Sequence, residues 1–115
     1  MPLAIQPLTA DIAVAGQLAP ESMVEAAAAG FRSVVNNRPD FEGGPTQQTS
    51  ASIEAAAQAA GLSYAFLPVA SGYQSPEEIA TFAGLLASMP KPILAFCRSG
   101  ARSGRLVRAA LGAPG

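Results

Sequence analysis

Residues 92–96, PILAF, form an unbroken apolar run that ends at a cysteine, and the next seven residues, RSGARSG, are arginine, serine, glycine and one alanine. A strand that is apolar throughout must be covered on both faces, which is the environment of a central strand in a parallel sheet. Parallel neighbours cannot be joined by a tight hairpin and need crossover connections, usually helical. This one run therefore calls for a chain in which strands alternate with helices.

The rest of the sequence has that alternation. LAIQPL (3–8) and IAVAG (12–16) give two short apolar pieces suited to edge strands or a hairpin-like start. APESMVEAAAAG places Pro20 in a first helical turn and Gly30 at the stop. FRSVVNN (31–37) is rich in β-branched and aromatic residues and predicts a strand. RPDFEGGPTQQ (38–48) is a loop by its Pro, Gly and Asp content. TSASIEAAAQAAG (49–61) predicts a helix capped by Thr49 or Ser50 and stopped by Gly61. LSYAFLPV (62–69) reads as a strand and ASGYQ (70–74) as a loop. SPEEIATFAGLLASM (75–89) carries a capping box, Ser75 with Glu78, and an apolar face of Ile79, Phe82, Leu85 and Leu86. KPILAFC (91–97) is the central strand, and SGRLVRAALG (103–112) a last helix. The expected fold is a three-layer α/β domain over residues 1–115, with a central, mostly parallel sheet of four to five strands and helices on both faces.

Half of the residues are hydrophobic, 13% are charged and the net charge is -1. Such a chain is globular, and its charge gives no general attraction to nucleic acid or a membrane surface. Its apolar runs fall short of the ~18 residues that span a bilayer. The first residues, MPLAIQPLTADIAVAG, lack the basic start and long apolar stretch of a signal peptide. A single cysteine, which cannot form an internal disulfide, fits a reducing cytoplasm. The chain has no histidine, so Ser-His-Asp triads, Cys-His dyads and most zinc sites are excluded. Neither a metal nor another cofactor is expected.

Cys97 is either a small core residue or a nucleophile. Its context favours the nucleophile. In a parallel sheet, ligands bind at the carboxyl ends of the strands, and CRSGARS leads from such an end into a helix. The helix N-terminus offers unpaired amides and a partial positive charge. Gly100 permits a tight, amide-inward turn, Arg98 and Arg102 add formal charge, and Ser99 and Ser103 add hydroxyls. A thiolate placed there is stabilised, and an oxyanion could be held beside it by the amides of Arg98, Ser99, Gly100, Ala101, Arg102 and Ser103.

The loop resembles the active-site loops of two related chemistries. Cysteine phosphatases carry Cys-x5-Arg, whereas rhodanese-type sulfurtransferases commonly carry Cys-Arg-x-Gly-x followed by Arg, Thr or Ser. Here Arg102 follows Cys97 in a Cys-x4-Arg spacing, the rhodanese size. VAGQLAPESM, GFRSVVNNRPDFE, LPVASG and FCRSGARS together are similar to the phosphatase-like domain of the bacterial beta-lactamase-hydrolase-like proteins, over roughly residues 3 to 111. That resemblance implies a dual-specificity-phosphatase-like fold. The family is described both as phosphatase-like and as a sulfurtransferase. Some members fuse this domain to a persulfide dioxygenase, which implies such an enzyme as a partner.

Two departures guide the choice between these activities. Phe96 stands where such phosphatases usually have histidine, and ASGYQ lacks the usual general-acid aspartate. Ester hydrolysis needs an acid worth about 10²–10⁴ in rate, while sulfite leaves without one. The leading expectation is therefore a sulfurtransferase that moves sulfur from thiosulfate or a persulfide to an external thiol through a Cys97 persulfide. The alternatives are a cysteine phosphatase and a non-catalytic anion- or persulfide-sensing module. Asp40 is the remaining acid for a phosphatase, or else simply shapes a turn. Arg38 is either a second anion contact or a solvated charge. Asn36 and Asn37 are read as backbone ties, Tyr73 as a pocket wall or an exposed loop residue, and Arg105 and Arg108 as surface charges, with Arg105 able to extend the field at the cysteine. A small anionic substrate is expected, and neither nucleic acid nor a membrane.

Overall fold

The computed structural model describes residues 4–112. The elements run β1 (Ile5–Pro7), β2 (Ile12–Ala15), α1 (Ser22–Ala28), β3 (Ser33–Asn36), α2 (Ser50–Ala59), β4 (Ser63–Phe66), α3 (Pro76–Ser88), β5 (Ile93–Phe96) and α4 (Ala101–Ala110). The sheet order is β1-β2-β5-β3-β4. β1 pairs antiparallel with β2, and the other pairings are parallel. The apolar run is thus the middle strand of five, as its composition demands.

Strand β5 shows why it must be apolar on both sides. Leu94 and Phe96 join one buried cluster with Met23 of α1 and Ile53 of α2. Ile93 and Ala95 join the other with Phe82 of α3 and Leu106 of α4. Successive strand residues point to opposite faces, so one four-residue strand supplies both cores. The result is three layers, with α1 and α2 on one face and α3 and α4 on the other.

Local signals set most helix starts. Thr49 caps α2, its hydroxyl accepting from Ser52 N at 3.2 Å. Ser75 and Glu78 form the expected capping box of α3, with Pro76 in the first turn. Two starts differ from the expectation. Helix α1 begins at Ser22, because Ser22 Oγ accepts the Ala19 amide at 3.0 Å and leaves Pro20 in the preceding turn. Helix α4 begins at Ala101 instead of Ser103. Gly100, at φ 92°, turns the chain in the left-handed region that side chains disfavour, so the helix starts directly after it. Arg102 and Ser103 consequently lie in its first turn.

The register brings the chemistry to one edge. Cys97 N donates to Ala15 O at 3.3 Å and Asn37 N to Phe96 O at 2.8 Å, so β2, β5 and β3 end level with one another. The segments after all three open on the same side. Among the described residues no helix is long and apolar enough to cross a membrane.

Candidate active site

Cys97 follows the central strand directly and is 1% exposed. Gly100 N donates to its sulfur at 3.1 Å. Burial pushes the thiol up, but the amide and hydroxyl of Ser103 and the amides of Ser99 and Gly100 outweigh it and hold the group below the ordinary thiol range. The turn that produces this is tightly packed. A Cβ on Gly100 would lie 3.3 Å from the carbonyl carbon of Ala15, and one on Gly16 would lie 3.1 Å from Arg98 O. Two glycines therefore let the end of β2 and the cysteine loop approach.

Ser103 is fully buried, and its hydroxyl, whose one proton is shared between the sulfur and Asn37 Oδ1, lies 2.8 Å from that oxygen. Asn37 in turn donates from Nδ2 to Leu67 O at 3.1 Å. Asn36 accepts from Arg38 N at 2.9 Å and donates to the Tyr64 hydroxyl at 3.1 Å. Both asparagines tie backbone and side chains at the strand end, and Asn37 in addition orients the serine beside the sulfur.

Arg102 is 4% exposed. Its Nη1 donates to Val69 O at 2.9 Å and its Nη2 to Glu42 Oε1 at 3.0 Å, while Nε is buried and has no partner among the described residues. The same Glu42 oxygen accepts from Arg38 Nε at 3.0 Å, and Arg38 Nη1 donates to Gln17 Oε1 at 3.0 Å. The hydrogen bond from Arg102 is the main cause of a Glu42 carboxyl held below the usual range, with a further bond from Arg38 helping against partial burial.

A cleft of about 650 Å³ lies over this network, lined by Arg38, Glu42, Arg98, Ser99, Arg102 and Arg105 among others. Cys97 itself does not line it; the residues that follow Cys97 do. Arg105 reaches Ser71 O at 2.8 Å and is also at the cleft, where the sequence favoured a plain surface charge. Asp40 is elsewhere: its Oδ1 accepts from Ser50 N at 2.7 Å and so holds the start of α2. Tyr73 is 67% exposed and does not line the cleft.

Glu42, Gln17 and Ser71 had no place in the sequence reading. The one signal for Glu42 is its spacing of four residues from Arg38, which in a loop carries no geometric meaning until the fold is known.

Comparison with known proteins identifies this architecture. The family model for the phosphatase-like domain of beta-lactamase hydrolase-like protein matches residues 4–113. The beta-lactamase hydrolase-like protein of Xylella fastidiosa is 35% identical over 92 residues, 80% of this chain and 21% of that protein. The chain thus spans about a fifth of the length of the curated relatives it matches. A provisionally assigned phosphatase of Neisseria meningitidis superposes with a TM-score of 0.83 at 30% identity, covering 97% of this chain and 81% of that one. The core catalytic domain of the PP-IP phosphatase SIW14 from S. cerevisiae shares the fold, with a TM-score of 0.71 at 13% identity and coverage of 96% and 66%.

These findings overturn the leading expectation of a rhodanese-type sulfurtransferase, since the family and the structural neighbours are phosphatase-like. That expectation rested on the short Cys-x4-Arg count and on the acid missing from residues 70–74. The count describes only the floor of the site. Its walls come from Arg38, Glu42, Ser71 and Arg105, and the cleft they form has the volume of an ordinary small-molecule site. The chain belongs to the family of the phosphatase-like domain of beta-lactamase hydrolase-like proteins.

Proposed function

We propose that the chain is a cysteine-dependent phosphatase of small anionic phosphate compounds. The observation that carries this reading is the joint presence of a buried Cys97 sulfur accepting an amide from its own loop and a buried Arg102, in the first turn of the helix that follows, with Nε unpaired among the described residues. The first is a sulfur whose thiolate form is favoured by its own loop, and the second is a positively charged donor without an acceptor among the described residues.

In this reading the Cys97 thiolate attacks phosphorus, an S–P bond forms, and the P–O bond to the leaving group breaks with its electron pair on that oxygen. The loop amides of residues 98–103 and Arg102 Nε bind the non-bridging oxygens as charge builds on them. Water then attacks the phosphocysteine, inorganic phosphate departs and the thiolate returns. The donors from Ser103 make that thiolate a better leaving group in the second step. Asp40 anchors α2 here and transfers no proton. A reducing cytoplasm suits a site that works through a free thiolate.

The test is release of inorganic phosphate from p-nitrophenyl phosphate by the purified chain and by Cys97→Ser. Turnover that falls at least about 10³-fold in the variant supports the reading. Turnover unchanged by the substitution, or none from the intact chain, overturns it.

A further inference from the structure

Four of the chain's seven cationic side chains, Arg38, Arg98, Arg102 and Arg105, line one cleft, although the chain as a whole carries a net charge of -1. Among the described residues the only carboxylate lining that cleft is Glu42. A single phosphoryl group is served by the loop amides and by Arg102, whose buried Nε still lacks an acceptor. The Arg98 side chain is exposed and makes no hydrogen bond or ion pair among the described residues, and Arg105 spends only Nη2, on Ser71 O. The rim therefore holds more positive charge than one phosphate monoester uses.

The leaving group is constrained from the other side. Glu42 Oε1 already accepts from both Arg38 Nε and Arg102 Nη2, each at 3.0 Å, so this carboxylate is an acceptor without a proton to give. Asp40 is committed to the Ser50 amide and lies off the cleft. A site without a carboxylic acid beside the bridging oxygen favours groups that depart as stable anions. An alkoxide does not qualify. A phosphate leaving from a phosphoanhydride does, because its second pKa is about 6, and it brings the negative charge that the surplus arginines would bind.

We propose that the cleft acts on a phosphoanhydride: a small molecule bearing a diphosphate, whose terminal phosphoryl group passes to Cys97 while Arg98 and Arg105 hold the departing phosphate. This deepens the cysteine-phosphatase reading and rests on it. The bridging P–O bond breaks as the S–P bond forms, and its electron pair stays on the leaving phosphate. Water next cleaves the phosphocysteine, so the sum is hydrolysis of one anhydride to two phosphates.

The experiment compares kcat/KM of the purified chain for inorganic tripolyphosphate, p-nitrophenyl phosphate and glycerol 2-phosphate, with Arg98→Gln and Arg105→Gln beside the unmodified protein. Tripolyphosphate is expected to exceed p-nitrophenyl phosphate by about 10-fold or more, since the two differ in charge reaching the rim. Glycerol 2-phosphate is expected to fall at least about 10²-fold below p-nitrophenyl phosphate, the factor an absent acid costs. Each arginine variant should lower the tripolyphosphate rate more than the p-nitrophenyl phosphate rate, so that the ratio drops by about 5-fold or more on loss of one charge-assisted contact. Hydrolysis of p-nitrophenyl phosphate with an equal or poorer tripolyphosphate rate, or a ratio unmoved by both variants, overturns this proposal and leaves the phosphatase reading standing. Failure on all three compounds overturns both.

Discussion

Glu42 Oε1 accepts from Arg102 Nη2 at 3.0 Å, and through that contact a loop between β3 and α2 fixes a guanidinium in the first turn of α4. With Nη1 held by Val69 O, two of the three guanidinium nitrogens are anchored and Nε alone stays open. Glu42 is therefore a positioning residue for an arginine that sequence spacing finds by itself. Glu42→Ala leaves Arg102 charged but poorly aimed. We expect kcat for p-nitrophenyl phosphate to fall by about 10²-fold, the scale of a misplaced contact. KM should stay level or fall, because removing an anion strengthens the attraction of the cleft for substrate. A raised KM with kcat retained would count against the positioning role.

Ser103 and Cys97 give a pH dependence with a definite sign. Burial raises the thiol pKa, and the donors from Ser103, Ser99 and Gly100 overcome it, so the thiolate persists below the ordinary range. Alkylation by iodoacetate follows the thiolate and should titrate below the free-cysteine value of about 8.5. Ser103→Ala removes the hydroxyl donor and leaves the burial, so its alkylation profile should move to higher pH. The linked stability has the same origin. A depressed folded-state pKa gives stability that is complete above the unfolded value and is lost as pH falls through the folded one. Urea midpoints of the intact protein relative to Cys97→Ser should therefore rise with pH across that window. An alkylation profile that is unchanged in Ser103→Ala would remove the serine from the reading.

What the sequence disclosed, and what it hid, divides along a physical line. Strand β5, the caps of α2 and α3, and the glycine before α4 rest on interactions within a few residues, and all are legible from patterning and capping chemistry. Cys97 and Arg102 belong to that class too, since the loop is contiguous. Glu42 and Gln17 reach the site from segments 60 and 85 residues away from Arg102 and close to it only through sheet order. Counting loop residues could likewise not give the size of the cleft, whose walls are long-range. Asp40 shows the converse limit: a carboxylate at the right edge of the sheet is spent on a helix N-terminus two residues from one that reaches the site.

Gly100 is tested by Gly100→Ala. The position has φ 92°, and the added Cβ would sit 3.3 Å from the carbonyl carbon of Ala15, a backbone atom that cannot swing aside. The left-handed conformation alone costs an ordinary residue about 1–2 kcal/mol. For a domain of this size that corresponds to a fall in Tm of very roughly 4–12 °C. Any shift of the loop also lengthens the bond from Gly100 N to the sulfur, so turnover should fall further than in a surface variant matched for stability. A Tm within 1–2 °C of the unmodified protein, with activity intact, would show that the turn tolerates a side chain after all.

Asp40 separates two readings of the loop between β3 and α2. Its Oδ1 accepts the Ser50 amide at 2.7 Å, and that contact needs an oxygen and no ionisable proton. Asp40→Asn keeps the acceptor and removes the acid. If Asp40 only anchors α2, kcat/KM for p-nitrophenyl phosphate and for a poorer leaving group such as phenyl phosphate should both stay within about 3-fold of the unmodified protein, well short of the loss of about 10²–10⁴ that follows removal of a general acid. Asp40→Ala, which deletes the acceptor, should instead cost about 1 kcal/mol of stability, the scale of a lost cap, seen as a lower urea midpoint. A large loss confined to phenyl phosphate in Asp40→Asn would make this carboxylate the proton donor, and the site would then reach Asp40 by a movement of residues 38–48 toward Cys97.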